Sequence, residues 1–120
     1  MSARGEGYLT VGEEQVTILF TNRALAQAEM QLGKTVLQIA NDAAAGDLGI
    51  TDVARLLLVG MQAARRDLKL KGTPPGIKDA FAVMDEAGFA EAARVVMETL
   101  ATVLSYDPNE GEETDADPPE

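Results

Sequence analysis

Four glycines divide the middle of this chain into short segments, and each one follows a run of apolar residues spaced for a helix. They are Gly33, Gly46, Gly72 and Gly88. Glycine adopts the left-handed conformation that ends a helix with little strain, so each is a natural C-terminal cap. A chain interrupted in this way forms several short helices rather than one long one.

The starts of these helices are marked as well. Asn22, Thr35 and Thr51 have side chains that can accept a hydrogen bond from the first turn of a helix. Pro74 and Pro75 are tolerated in a first turn because proline lacks only an N–H that has no partner there. The pattern predicts helices over residues 22–32, 35–45, 51–71, 74–87 and 89–105.

A β-hairpin is predicted before the helices. Residues 8–11 and 16–20 are β-prone, and residues 12–15 between them contain a glycine suited to a turn. An isolated two-stranded hairpin is only marginally stable in water, so it must pack on the helices. The sequence therefore predicts an α+β fold that is mostly α, with an N-terminal β-hairpin packed on a small bundle of about five helices.

The C-terminal end of the chain differs sharply from the rest. Residues 107–120 contain seven acidic residues and no basic one, so they account for −7 of the net charge of −10. Because this segment has few apolar side chains to bury, it is predicted to be disordered. The predicted organisation is a flexible N-terminus over 1–6, a single domain over 7–105 and an acidic disordered tail over 106–120.

Composition excludes several kinds of chemistry. The 120 residues include no cysteine, no histidine and no tryptophan. Disulfides, Cys/His zinc sites, cysteine nucleophiles and histidine bases are therefore impossible. Adjacent acids such as Asp85 and Glu86 fall at positions predicted to be exposed, where carboxylates are ordinary solvated surface groups. We predict no catalytic residue, no cofactor, no metal and no small-molecule substrate.

No apolar run has the length of a signal peptide or a membrane span. We therefore expect a cytoplasmic protein without a membrane partner.

Residues 28–35 loosely match a phosphate-binding loop and need separate consideration. The match ends in Gly33, Lys34 and Thr35, but such a loop requires a preceding strand and several glycines whose N–H groups surround the phosphates. Here the preceding residues have helical spacing and only one glycine is present. We interpret Gly33 as the end of one helix and Thr35 as the start of the next.

Half of the basic residues lie close together, between positions 65 and 78. They are Arg65, Arg66, Lys69, Lys71 and Lys78. Three interpretations are open: solvated charges that complement a helix C-terminus, a surface for an anionic partner, or a surface onto which the acidic tail folds back. The negative net charge of the chain argues against nucleic acid as a partner.

The helix predicted over 51–71 is apolar on more than one side. Its main apolar face includes Leu57 and Met61, and Leu58, Val59 and Leu70 lie outside that face. Such breadth suits contact with another protein or self-association, for example as a dimer. The predicted partner-binding residues are Leu57, Leu58, Val59, Met61, Leu70 and Val95.

Several short motifs occur in a recognisable order along residues 5–105. After the hairpin come Ala24-Leu25, Glu29 and Leu32-Gly33 in the spacing ALxxxExxLG, and then Leu56-Leu57 with Gly60 in the spacing LLxxG. In this order the chain resembles the small tail assembly chaperone family of long-tailed phages, gene transfer agents and related prophages. That family label is also attached to tail tube proteins.

The resemblance implies a non-catalytic protein of the host bacterial cytoplasm. Members of this family bind the long, helical tape measure protein and keep it soluble before tail tube subunits polymerise around it. Two alternatives remain: a structural tail component retained in the particle, and an acidic decoy acting through residues 107–120. A tube subunit needs more strand than one hairpin to build a β-lined ring, which favours the chaperone.

Overall fold

The computed structural model describes residues 5–105, which form an antiparallel hairpin followed by five helices. This confirms the predicted fold class for these residues, while the predicted disorder of 106–120 lies outside them. The elements are β1 (Glu6–Val11), β2 (Glu14–Leu19), α1 (Asn22–Leu32), α2 (Val36–Ala45), α3 (Ile50–Asp67), α4 (Ile77–Ala87) and α5 (Phe89–Leu104).

The hairpin begins earlier than the sequence predicts. Glu6 pairs with Leu19 in the ladder, and the carbonyl of buried Gly5 accepts a hydrogen bond of 2.8 Å from the N–H of Phe20. These bonds make Gly5 and Glu6 part of the folded structure, so the flexible N-terminus predicted over 1–6 does not include them.

The core lies between one face of the hairpin and the helices. Helix α3 packs on β2, α5 packs on β1, and the two helices also contact each other. α1 and α4 flank α3, so this helix has neighbours on most of its circumference. The largest fully buried side chains include Leu9, Ile18, Leu56, Leu57 and Leu100.

Two glycines allow the helices to approach the hairpin closely. A Cβ at Gly60 of α3 would lie 2.7 Å from the Cβ of Ile18 in β2, closer than real Cβ atoms come. A Cβ at Gly7 of β1 would overlap the hydroxyl of Thr99 in α5. A side chain at Gly60 would therefore force β2 and α3 apart, and one at Gly7 would require the Thr99 side chain to move.

The ends of α1 and α2 largely follow the sequence signals. The hydroxyls of Thr21 and Thr35 each accept a hydrogen bond of 3.1 Å from the first turn of their helix, so Thr21 rather than Asn22 caps α1. Gly33 and Gly46 end these helices in the left-handed conformation, as predicted.

Helix α3 differs from its prediction at both ends. It begins at Ile50 with Gly49 as the N-cap, so Thr51 lies inside the helix and is not its cap. It ends at Asp67 because Lys69 turns left-handed, with φ at 56°. The N–H of Leu70 then reaches back 3.1 Å to the carbonyl of Arg65, the closing bond of a Schellman turn.

Helix α4, in contrast, begins later than predicted. Gly76 is its N-cap and donates its N–H to the Asp79 carboxylate at 2.7 Å, so Pro74 and Pro75 precede the helix instead of opening it. Gly88 ends α4, and α5 follows directly. None of the helices described for residues 5–105 has the length and hydropathy needed to cross a membrane.

Candidate partner-binding groove

A groove of about 220 Å³ lies between the start of β2, the C-terminal half of α3 and the connection formed by residues 68–76. Its apolar lining comes from Val16, Met61, Leu70 and Pro75, and Arg65 and Lys71 add basic groups. We call it the Val16–Leu70 groove. Apolar walls with a few charged groups are typical of a surface that takes up another polypeptide.

Side chains of α3 hold the outer wall of this groove in place. The Arg65 guanidinium donates from Nε to the carbonyl of Gly72 at 2.8 Å, and its Nη2 donates to the same oxygen. The Gln62 amide donates to the carbonyl of Pro75 at 3.2 Å. Together with the Schellman turn at Leu70, these bonds keep the connection against α3 and the groove open.

The turn beside the groove carries unpaired positive charge. Within residues 5–105, no carboxylate forms an ion pair with Arg65, Lys69 or Lys71, whereas Arg66 pairs with Asp67 at 3.2 Å. Residues 65–71 contain four basic residues and one acidic residue, a net charge of +3. The charge of this turn is thus opposite in sign to the net charge of the chain.

Two of the six predicted partner-binding residues line the groove. Met61 is half-buried and Leu70 is 44% exposed, so both are accessible to a partner. Leu58 is half-buried and packs against the core without lining the groove.

The other three predicted residues lie in the core. Leu57, Val59 and Val95 are only 0%, 2% and 5% exposed, which corrects the expectation that they extend an apolar surface. Val59 is covered because α3 has neighbours on several sides at once. Val95 is covered because α5 packs on β1 beside Gly7.

Sequence reasoning missed the groove residues contributed by other elements. The sequence places Val16 only in a strand and Pro75 only at a helix start. No pattern within a single segment indicates that these two side chains meet Met61 and Leu70. Val16 carries one weak signal, since a β-branched residue at the start of a half-buried strand often contacts a neighbouring element.

Lys34, the candidate phosphate ligand, is engaged elsewhere. Its Nζ donates to the carboxylates of Asp42 at 2.9 Å and Asp52 at 3.2 Å, which ties α2 to α3. These bonds raise the pKa of Lys34 above its ordinary value, and the bond from Lys34 lowers the pKa of Asp42. Residues 28–32 are helical and Gly33 caps them, a geometry unlike a phosphate-binding loop.

A second groove, of about 240 Å³, lies between β1 and α5, and its polar groups are already paired. Arg94 bridges Glu91 at 2.5 Å and Glu98 at 2.8 Å, and its hydrogen bond lowers the pKa of Glu91. The Tyr8 hydroxyl donates to Glu6 at 2.5 Å, which raises the pKa of Tyr8. Nowhere in residues 5–105 do three or more acidic side chains gather where they could hold a metal ion.

Comparison of the chain with protein-family models, curated proteins and solved structures returns no match. The tail chaperone resemblance therefore rests on the order of the sequence motifs.

Proposed function

We propose that this protein is a non-catalytic tail assembly chaperone of a phage or phage-like particle. In this role it binds the helical tape measure protein in the host bacterial cytoplasm and keeps it soluble until the tail tube polymerises. Two features support the proposal: the ordered motifs of residues 20–61, and an accessible apolar groove that contains Met61 and Leu70.

The groove is the observation that carries the proposal. A chaperone for a long amphipathic helix needs an apolar surface that accepts side chains spaced along one helix face. Val16, Met61, Leu70 and Pro75 supply such a surface, and methionine adapts its shape to different side chains. Arg65 and Lys71 favour a bound segment that carries acidic residues beside its apolar face.

The strand content of residues 5–105 favours a chaperone over a tube subunit. These residues contain two strands, both in the hairpin, and one face of the hairpin is covered by α3 and α5. A ring of β-structure requires strands that pair between subunits and continue around a lumen. The alternative role, against which the proposal is tested, is a structural tail component that stays in the finished particle.

A capture experiment with a matched pair of variants tests the groove. A tape measure protein from the same phage or phage-like element is co-expressed with the wild type, with Leu70→Asp, or with Leu37→Asp. Leu37 is 65% exposed on α2 and does not line the groove, so it controls for introducing a charge at an exposed leucine. We expect Leu70→Asp to weaken capture about tenfold or more, because an apolar contact is replaced by a carboxylate that must lose water.

Equal capture by the two variants would contradict the groove assignment. Quantitative mass spectrometry of purified particles tests the role itself. We expect the tape measure protein to co-purify from producing cells and this protein to be absent from finished particles. Many copies of this protein in the particle would instead identify it as a structural tail component.

A further inference from the structure

We propose that the acidic segment 107–120 docks on the Val16–Leu70 groove of its own chain and covers it until a protein partner displaces it. The docking itself is independent of the proposed function, whereas the competition with a partner rests on it.

Charge is the first argument for this pairing. Arg65 and Lys71 line the groove, Lys69 directly precedes Leu70 in the turn, and none of the three forms an ion pair within residues 5–105. Segment 107–120 contributes seven acidic residues and no basic one. The unpaired positive patch on the turn thus matches the most negative segment of the same chain, and opposite potentials favour their contact.

The backbone of Lys69 supports a role for this positive patch beyond folding. Lys69 has φ at 56°, the left-handed conformation that glycine adopts without strain and that costs other residues about 1 kcal/mol. Glycine would end α3 more favourably at this position. A lysine there supplies a charge on the turn that carries Leu70, at the expense of some stability.

The segment is long enough to reach the groove. Gly5 lies close to both the end of α5 and the end of β2. A Cβ at Gly5 would lie 3.2 Å from the Cγ2 of Val103, and the carbonyl of Gly5 accepts a hydrogen bond from Phe20, the residue after β2. Helix α5 therefore ends near Phe20. Val16 lies four residues back along β2, roughly 13 Å away. Fourteen extended residues span up to about 50 Å, which leaves length for a path around the edge of the hairpin.

Segment 107–120 also contains apolar side chains that can contact the apolar part of the groove. Pro118 and Pro119 stand between Asp117 and Glu120, two apolar rings flanked by carboxylates. The groove has the complementary arrangement, with Leu70 and Pro75 beside basic groups. Consecutive prolines lose little conformational freedom on binding. Attachment to the same chain also gives the segment a local concentration of about 1 mM at the groove, so weak contacts are enough to keep it docked.

A spin label on the full-length protein tests the docking. The chain has no cysteine, so Thr114→Cys provides a unique attachment site for a nitroxide. We expect several-fold stronger paramagnetic broadening of the amide signals of Val16, Thr17 and Leu70 than of Leu37. The effect should weaken when NaCl rises from about 0.1 M to about 1 M, because the Debye length falls from about 10 Å to about 3 Å.

Paired charge reversals show whether the groove is the docking site. In the labelled protein, Lys69→Glu with Lys71→Glu should abolish the selective broadening. The control, Arg23→Glu with Lys78→Glu, changes the net charge by the same amount at exposed positions outside the groove. This control should preserve the selective broadening. Equal loss in both variants, or broadening centred on another surface, would overturn the docking.

A full-length variant with every acid of 107–120 changed to Asn or Gln tests the competition. We expect it to capture the tape measure protein several-fold more tightly than the wild type, and equal capture would refute competition. If neither form captures tape measure but the label still broadens the groove, the proposed function fails and the docking stands. If tape measure is captured but the groove signals are not broadened, the docking fails and the proposed function stands.

Discussion

Gly60→Ala tests whether the close approach of α3 to the hairpin is as tight as the structure indicates. The added methyl would lie 2.7 Å from the Cβ of Ile18, whereas ordinary contact begins at 3.4 Å, so the two elements must separate by about 0.7 Å. The obstructing atom is attached directly to the strand backbone, so a rotamer change in Ile18 cannot relieve the overlap. The Cε1 of Phe20, at 3.2 Å, restricts movement on a second side.

The expected cost follows from two opposing terms. Overpacking a buried site costs about 1–3 kcal/mol, and alanine regains about 1 kcal/mol over glycine inside a helix. Since the clash involves backbone-linked atoms, we expect Gly60→Ala to lower the free energy of unfolding by about 1–2 kcal/mol. Urea unfolding followed by circular dichroism measures this change directly.

Gly49→Ser is the control for the same experiment. A Cβ at Gly49 meets nothing within 4 Å, and serine suits the N-cap of α3, so this variant should change stability by only a few tenths of a kcal/mol. If Gly60→Ala proves as stable as the wild type or more stable, the hairpin does not rest on α3 as closely as described.

Two further changes have expected outcomes. Asp42 has a lowered pKa in the folded protein, so its stabilising effect is present above its unfolded pKa of about 3.9 and is lost as the pH falls through the folded pKa. In thermal unfolding between about pH 5 and about pH 2, Asp42→Asn should therefore lose stability less steeply than the wild type, and an unchanged slope would rule out this carboxylate as the cause. Lys69→Gly should raise the free energy of unfolding by about 0.5–1 kcal/mol in urea, because glycine relieves the left-handed strain; a less stable variant would show that this strain is absent.

Local signals predict the elements well where one residue decides the outcome. Thr35 and Gly46 bound α2 as expected, because a hydroxyl cap and a left-handed glycine each act within one turn. The predicted ends of α3 are wrong because Gly49 takes the cap position and Lys69 adopts a conformation for which sequence favours glycine. The three residues after Asp67 are helix-compatible by composition, and only their backbone geometry ends the helix.

The groove could be predicted only in part, because its walls come from three separate segments. The apolar breadth of one helix is enough to identify Met61 and Leu70. The same reasoning wrongly selects Val59, which is buried. The sequence of one helix does not show how many other elements pack around that helix. The position of Val16 depends on Gly60, whose missing side chain sets how closely β2 approaches α3. That dependence is a tertiary contact between residues far apart in the chain.

The packing of α3 and α5 on the hairpin imposes an order on folding during synthesis. The ribosome makes β1 and β2 first, but the helix that covers β1 ends at Leu104, 85 residues after β2 ends at Leu19. At a synthesis rate of about 5–20 residues per second, α5 is complete roughly 4–17 s after the hairpin has been synthesised. A two-stranded hairpin is marginal alone, so residues 6–19 complete their folding only when translation of the helical region is finished.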